Sequence, residues 1–314
     1  MEQGVEVRGE LETRLKEFDI EGYTKGVKKR DKLFEIIGLI ATFFVLLFLF
    51  AIAVDLLIDG WVRIKDPNFY TSFPSRFPDQ AGILSAWVGT VYVMAGAIFW
   101  AVIIGVPAGI YLEEYGGKGK IARIIEANIS NLAAVPSIVY GLLALGVFVY
   151  RFEFGESILT ASLTLGLLML PVVVVSTRES IRRIPRSIRE AAYALGATRW
   201  ETLFHHILPY SIGGILTGLI IAASRAIGET APLITIGALT FIAFLPPAPW
   251  EDFIGMLKSP FTVLPIQMFN WVSRPQAAFH TNAAAAGFVL LVIAFLMNSI
   301  AFYLRYKVRR KYQW

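Results

Sequence analysis

Long apolar runs separated by charged segments form the main hydrophobic pattern of this 314-residue chain. A helix rises about 1.5 Å per residue, so about 20 apolar residues cross about 30 Å of hydrocarbon. Backbone groups in lipid must hydrogen-bond within their own segment, so each such run is predicted to be a helix. The pattern therefore predicts an all-α integral membrane protein with six transmembrane helices, which cover residues 33–58, 85–112, 127–150, 157–177, a run from Pro209 past Ala226, and 282–304.

Two further features of the pattern affect the number of spans. Residues 231–245 are apolar but form a short run that ends in two prolines, so we interpret them as re-entrant or as an extension of the fifth helix. The first run follows some 30 polar residues and is too long for the apolar region of a signal peptide. We therefore expect it to remain as an anchor.

The positions of Lys and Arg predict the orientation. Of the 29 basic residues, 22 lie in segments 1–32, 113–128, 178–208 and 305–314, and six lie in the alternating segments. Cytoplasmic loops carry the excess of basic residues, so both termini are predicted to be cytoplasmic. The remaining basic residue, Arg225, lies within the fifth span.

Composition narrows the class of protein. Hydrophobic residues make up 56% of the chain and charged residues 17%, which excludes an ordinary soluble enzyme. The chain has no cysteine, which excludes disulfides, thiolate metal sites and a cysteine nucleophile.

Small residues recur every fourth position in two of the predicted spans. Such faces allow helix backbones to approach closely in lipid, so we expect both to contact protein. They consist of Ala133, Ser137 and Gly141 in the third span and of Gly214, Gly218, Ala222 and Ala226 in the fifth.

The loop 178–208 has the pattern of two short helices joined by a glycine elbow. Ser187 and Glu190 have capping-box spacing, so the first helix should start after Ser187. Ala191 and Ala192 continue this helix. Gly196 can take the left-handed conformation that ends it.

A second capping box, formed by Thr198 and Glu201, predicts that another helix follows the elbow. A short exposed helix with an alanine face favours docking to a cytoplasmic partner. A solvated loop would not need two capping boxes. A DNA-reading helix-turn-helix is disfavoured, because membrane spans close on both sides would prevent entry into a major groove.

This loop resembles the EAA loop of ABC importer permeases, which contacts the ATPase subunit. The matching pattern is Glu190-Ala191-Ala192, three residues, Gly196, nine residues, then His206-Ile207-Leu208-Pro209. The resemblance implies a type I ABC importer permease fold over residues 80–305, with 178–208 as its coupling loop. The remaining parts are a cytoplasmic tail 1–32, a first transmembrane helix 33–58 and a tail 306–314.

Arg225 and Glu229 are charges at membrane depth. A charge at the centre of a bilayer costs about 2.5–3.5 kcal/mol on insertion scales, so both should face protein or water. With Gly218 and Ala222 they fall on one predicted helical face, so we expect the pair to point inward. The pair is either a salt bridge between helices or a transient contact for a passing oxyanion.

Two motifs, AVPSIVYGL at 134–142 and SRAIGETAPL at 224–233, resemble those of the phosphate-specific importer permeases, PstA type. By this resemblance Ser137 joins Arg225 and Glu229 on the substrate pathway. The resemblance also implies four kinds of partner: two copies of an ATP-binding subunit, a second permease subunit of the PstC type, an extracytoplasmic phosphate-binding protein, and membrane lipid.

The chain has no P-loop, since GGKGKI from Gly116 lacks both the spacing and the hydroxyl of GxxxxGK[ST]. We therefore expect ATP to be hydrolysed by another polypeptide, and this chain to need no cofactor, metal or nucleic acid. The alternative is an ion-coupled secondary carrier that uses the Arg225/Glu229 pair as a proton relay. An integral membrane enzyme is disfavoured because no catalytic constellation appears at membrane depth.

Overall fold

The computed structural model describes residues 20–116, 119–239 and 241–311, and it is helical throughout these ranges apart from turns, short extended stretches and one isolated bridge. We number the helices in chain order: α1 Ile20–Ile64, α2 Pro67–Thr71, α3 Leu84–Tyr115, α4 Lys120–Leu132, α5 Ser137–Arg151, α6 Ile158–Arg182, α7 Arg186–Ala194, α8 Arg199–Ala226, α9 Ala231–Thr235, α10 Phe253–Lys258, α11 Leu264–Val272 and α12 Ala277–Lys311.

Helix α1 contains the first predicted span. Its side chains from residue 27 to residue 52 are all exposed, and most of them are apolar. The described residues up to Asp55 and those from Leu56 onward belong to two separate compact units, so the charged start of α1 and its apolar middle both lie in the first unit. Residues 1–19 of the predicted cytoplasmic tail 1–32 lie outside the described residues.

The core of the second unit is a bundle of α3, α6 and α8. Small residues on α3 allow the close approach of α6, since a side chain at Gly105 would collide with Val173 and one at Gly109 with Thr177. Leu165 and Met169 fill the centre of the bundle and are almost fully buried. A second buried cluster joins the α2–α3 segment to α11 and α12, and its large members are Phe69, Ile83, Leu264, Trp271 and Phe279.

The predicted small-residue face of the fifth span packs against α6, as a close-packing face should. A Cβ atom at Gly214 would collide with the Ser180 side chain, and one at Gly218 with Ser176. Ala222 and Ala226 continue this face and are 2% and 1% exposed. The structure therefore confirms this face as a protein contact within the chain.

The third predicted span, 127–150, is not one continuous helix. Helix α4 ends at Leu132 and α5 starts at Ser137, with a turn between them at Pro136. Proline has no backbone N–H to donate and disfavours helical geometry at the residue before it. Ala133 therefore lies in the turn, and the predicted face of Ala133, Ser137 and Gly141 does not form. Five helices are long and apolar enough to cross a bilayer among the described residues, and α5 is a shorter apolar helix.

The fifth predicted span also differs at both ends. Helix α8 begins at Arg199, well before Pro209, and ends at Ala226 rather than running past it. Residues 231–245 do not extend it, because a turn at 227–230 separates α8 from the five-residue helix α9. The chain after α9 is bonded to the α10–α11 segment, where the Leu239 N–H donates to the Phe261 carbonyl at 3.1 Å.

We predict that Gly218→Ala destabilises the protein while Gly213→Ala does not. The added methyl at residue 218 overlaps the Ser176 side chain, whereas nothing lies within 4 Å of one at residue 213. Overpacking of this kind costs about 1–3 kcal/mol. Thermal unfolding of the purified protein in one detergent measures both variants, and equal melting temperatures would contradict the packing described for α6 and α8.

Candidate functional site

The elbow between α7 and α8 has the predicted conformation. Gly196 has φ +86°, in the left-handed region that glycine tolerates without strain. Thr198 then caps α8, because the Glu201 N–H donates to the Thr198 hydroxyl at 3.2 Å and the Thr198 N–H donates to the Glu201 carboxylate at 2.8 Å. The Thr198–Glu201 capping box is confirmed, and it sets the direction in which α8 leaves the elbow.

The capping box predicted at Ser187 and Glu190 is wrong. Helix α7 starts at Arg186, and Pro185 stands at its N-cap with no side-chain cap bond. Pro185 has φ −55° and its carbonyl accepts the Ile188 N–H at 3.3 Å, so Pro185 rather than Ser187 is the N-cap residue. Ser187 therefore lies inside the first turn, and both Ser187 and Glu190 are exposed.

The alanine face of α7 is split between the interior and the solvent. Ala192 is 6% exposed, while Ala191 and Ala194 are exposed. Beneath the elbow, Ile181, Ile184, Leu203 and Ile207 form a small buried cluster. Ala192 thus packs within the chain, contrary to the exposed face expected from the sequence, and a charge there would disturb the elbow itself.

Large apolar side chains around Gly196 are exposed, and the sequence analysis did not single them out. Leu195 is 90% exposed, Trp200 63% and Tyr193 42%. The rings of Trp200 and Phe204 lie 4.1 Å apart, one turn from each other on α8. Contiguous exposed apolar groups mark protein contacts. The sequence signal was Leu195, an apolar residue directly before the elbow glycine.

Ion pairs tie α7 to the ends of α3 and α6. Arg189 donates to the Glu114 carboxylate at 2.6 Å and to the carbonyls of Ile184 and Ile181 at 2.9 and 3.2 Å. The side chains of Arg189 and Glu114 are only 17% and 13% exposed, so this pair is shielded from water. Neighbouring Glu113 pairs with Arg182 at 3.0 Å.

Helix α4 joins this cluster through Glu126, which lies 2.9 Å from Arg178 of α6. The hydrogen bond from the Arg178 guanidinium holds the pKa of Glu126 below its ordinary value. Sequence reasoning missed the whole cluster. The sequence feature that could have indicated it is the acidic pair Glu113 and Glu114 at the end of the second predicted span, together with the arginines at the end of the fourth.

Arg225 and Glu229 do form a pair, but in a different setting from the one predicted. The Arg225 Nε lies 3.7 Å from Glu229 Oε1, and the side chains are 54% and 18% exposed. Helix α8 ends at Ala226, so Glu229 belongs to the turn that follows. Gly218 and Ala222 are buried against α6, whereas the Arg225 side chain, near the end of α8, is exposed. The predicted common helical face of Gly218, Ala222 and Arg225 therefore does not extend to Glu229, which lies beyond the end of α8.

Two short helices meet beside this pair. A side chain at Gly141 of α5 would collide with Pro232 and Thr235 of α9, so the two backbones are in close contact. Tyr140 of α5 donates its hydroxyl to the Leu132 carbonyl at 2.8 Å and lies within electrostatic range of Arg225. Ser137 is half-buried at the start of α5. Among the described residues, Ser137 makes no hydrogen bond to Arg225 or Glu229.

The half-exposed Arg225 guanidinium lies next to breaks in two helices. Within the described ranges, no three His, Asp or Glu side chains lie close enough together to bind a metal ion. A guanidinium presents several donors in a fixed plane, which suits an oxyanion. At the opposite end of α8 lies an elbow with exposed apolar residues. The chain therefore has an exposed guanidinium suited to an oxyanion at one end of α8 and an exposed apolar surface at the other.

Several curated proteins with similar sequences are named as phosphate permeases. The chain is 30% identical over 255 residues to "Phosphate transport system permease protein PstA 1" of Mycobacterium tuberculosis (strain CDC 1551 / Oshkosh), which covers 80% of this chain and 81% of that protein. It is 34% identical over 219 residues to "Phosphate transport system permease protein PstA" of Yersinia pestis, covering 68% of this chain and 70% of that protein.

The fold is that of a solved ABC importer. A chain of the structure titled "Inward facing conformations of the MetNI methionine ABC transporter" superposes with a TM-score of 0.54 at 17% identity, covering 70% of this chain and 94% of that one. Residues 105–310 match the family described as "Binding-protein-dependent transport system inner membrane component". The chain therefore belongs to this family of ABC importer permeases.

Proposed function

We propose that this protein is the PstA-type permease subunit of an ATP-driven importer of inorganic phosphate. It forms half of the translocation pore and is a transport subunit rather than an enzyme. Its relatives carry the name of phosphate permeases. The observation that carries the substrate assignment is the half-exposed Arg225 guanidinium at the break after α8, held only loosely by Glu229 at 3.7 Å.

Arg225, Glu229 and Ser137 are the residues proposed to line the substrate pathway. The Arg225–Glu229 pair is long, at 3.7 Å, and its guanidinium is half-exposed, so we expect an anion to displace Glu229 from Arg225 without a large cost. The carboxylate then limits how tightly the anion is held, since it competes for the same guanidinium. The breaks at 133–136 and 227–230 leave polar backbone groups near the pathway, as in other transporters with discontinuous helices.

The elbow is proposed to dock the ATP-binding subunit. The predicted docking residues Glu190, Ala191, Gly196 and Ser187 are exposed, and Leu195 and Trp200 add apolar surface to them. Thr198 and Glu201 shape the elbow through the capping box, and Ala192 supports it from inside. Closure of an ATPase dimer would then displace α7, and the shielded Arg189–Glu114 pair would carry that displacement to α3 and α6.

An ABC importer permease works with an ATP-binding subunit and a substrate-binding protein. We infer two copies of the ATP-binding subunit, a second permease of the PstC type and a phosphate-binding protein outside the membrane. We also infer that both termini of this multi-pass inner-membrane protein are cytoplasmic, as the excess of Lys and Arg in the segments 1–32 and 305–314 indicates. The ion-coupled carrier is not supported, because the chain belongs to a family whose transport depends on a binding protein.

We predict that Arg225→Gln lowers phosphate uptake about 10- to 100-fold, because a hydrogen bond to a charged group contributes about 1.5–3 kcal/mol. The amount of folded protein should change little, since the side chain is 54% exposed. Uptake of radiolabelled phosphate into proteoliposomes with the complete transporter measures this. Arg151→Gln, an exposed arginine at the end of α5, is the matched control. Normal uptake by Arg225→Gln would reduce the residue to a structural role.

We predict that Leu195→Asp releases the ATP-binding subunit while the permease still inserts into the membrane. The substitution places a charge on the most exposed apolar residue of the elbow, where it would be desolvated by a docked partner. Co-purification through a tag on the permease measures the association. Trp250→Asp changes an equally exposed apolar residue, 84% exposed, in the loop predicted on the other side of the membrane. Retention of the ATPase by both variants would argue against docking at the elbow.

We predict that Glu114→Gln uncouples ATP hydrolysis from transport. The ATP-binding subunit should still bind and hydrolyse ATP, but phosphate moved per ATP should fall about tenfold or more, because loss of one partner in a shielded pair leaves Arg189 uncompensated. Glu179→Gln removes an equally charged but half-exposed partner, 49% exposed, and serves as the control. An unchanged ratio of phosphate to ATP in Glu114→Gln would exclude this pair as the mechanical link.

A further inference from the structure

A groove of about 390 Å³ lies between α6 and α8 on the side of the coupling loop, and the pathway residues proposed above do not line it. Its floor is the glycine-rich part of α8, where Gly213, Gly214 and Gly218 carry no side chains. Arg183 at the end of α6 and Arg305 of α12 stand at its edge. It adjoins a smaller cavity lined by Ile184 and Pro185, directly before α7.

The charges of this groove are unbalanced. Among the described residues, neither Arg183 nor Arg305 has a carboxylate within ion-pair distance, whereas Arg178, Arg182 and Arg189 of the same region are all paired. Arg305 instead lies over the Phe302 ring, 5.8 Å from its centre. The acidic residue on the groove lining, Glu179, is paired with Arg182 at 3.1 Å. Two guanidinium groups are therefore free to bind an anion.

Hydroxyl groups line the wall between these arginines and the floor. Ser176, Ser180 and Thr217 donate to carbonyls of their own helices at 3.0, 2.6 and 2.7 Å. A hydroxyl hydrogen can rotate away from such a bond and donate to a bound anion instead. Guanidinium and hydroxyl donors around an open groove are the chemistry that recognises a phosphate oxyanion.

The groove also continues along α8 toward Arg225. Thr217 and Ile221 line the groove, and Arg225 follows one turn after Ile221. Arg225 lies eight positions after Thr217, a rise of about 12 Å along the helix. An anion can thus pass along one helix face from one arginine to the next. Rapid passage requires sites that bind well enough to admit the ion and weakly enough to release it.

Resting on the function proposed above, we propose that Arg183 and Arg305 form a second phosphate site, on the cytoplasmic side, which receives the anion from Arg225 before release. The site borders the segment that leads into the docking helix, so displacement of α7 would alter it. The same chemistry would also bind the phosphate headgroup of an anionic lipid, and the experiment separates the two sources.

The test uses the complete transporter reconstituted in proteoliposomes of a zwitterionic lipid, with its ATP-binding sites facing outward. Phosphate added on the ATPase side should inhibit ATP-driven transport, because it occupies the exit site. In the double variant Arg183→Gln/Arg305→Gln, the phosphate concentration that gives half-inhibition should rise about tenfold or more. Arg310→Gln, on the same helix and the same side but outside the groove, should leave it unchanged.

Three results would overturn the second site: no inhibition of the wild-type protein, equal inhibition of the double variant, or inhibition that Arg310→Gln weakens equally. A variant defect that appears only when anionic lipid is added, with phosphate inhibition unchanged, would assign the groove to a lipid headgroup and also reject the proposal. Phosphate transport by the wild-type protein in the same vesicles tests the proposed function separately, so failure of one is distinguishable from failure of the other.

Discussion

The close approach of α6 and α8 is the contact on which the rest of this structure depends. Lipid tails are as apolar as the helices, so helices associate in a bilayer by close packing rather than by the hydrophobic effect. At Gly214 and Gly218 of α8 the space for a side chain is taken by Ser180 and Ser176. This contact buries one face of α8 against α6. Ile221 and Arg225, farther along the same helix, remain exposed, and Thr217 is half-buried.

The breaks in the chain have a complementary role. A continuous helix satisfies all its backbone groups internally, and it therefore offers few polar groups to a passing ion. Interruptions at Pro136 and at residues 227–230 produce the short helices α5 and α9, which pack on each other at Gly141. The polar groups released by these breaks lie in the same region as Arg225. Rigid packing of α3, α6 and α8 holds this region in place, as a binding site for a small anion requires.

The cytoplasmic end combines a rigid part with an exposed part. Arg189 is held by Glu114 and by two carbonyls at the end of α6, so α7 cannot shift without moving α3 and α6. Leu195 and Trp200, in contrast, have their apolar surface exposed and suit contact with a partner. A docking surface linked to the bundle by shielded ion pairs can convert the motion of a partner into motion of the pathway. The groove between Arg183 and Arg305 lies directly beside this connection.

The sequence alone predicted the long apolar helices, the Gly196 elbow, the Thr198–Glu201 capping box and the packing face of α8. Each of these features depends on residues within a few positions of one another. The break at Pro136 and the helix start after Pro185 also depend on nearby residues, but both were predicted wrongly from the sequence. The length of the apolar run suggested one continuous helix through Pro136, and the apparent capping box at Ser187 suggested a later helix start. Only the tertiary structure decided which side of α8 faces α6, and that Arg225 is exposed while Gly218 and Ala222 are buried. It also decided that Ala192 is buried and that Glu114 meets Arg189, 75 positions along the chain. Such contacts depend on how distant helices are brought together, which periodicity and composition do not specify.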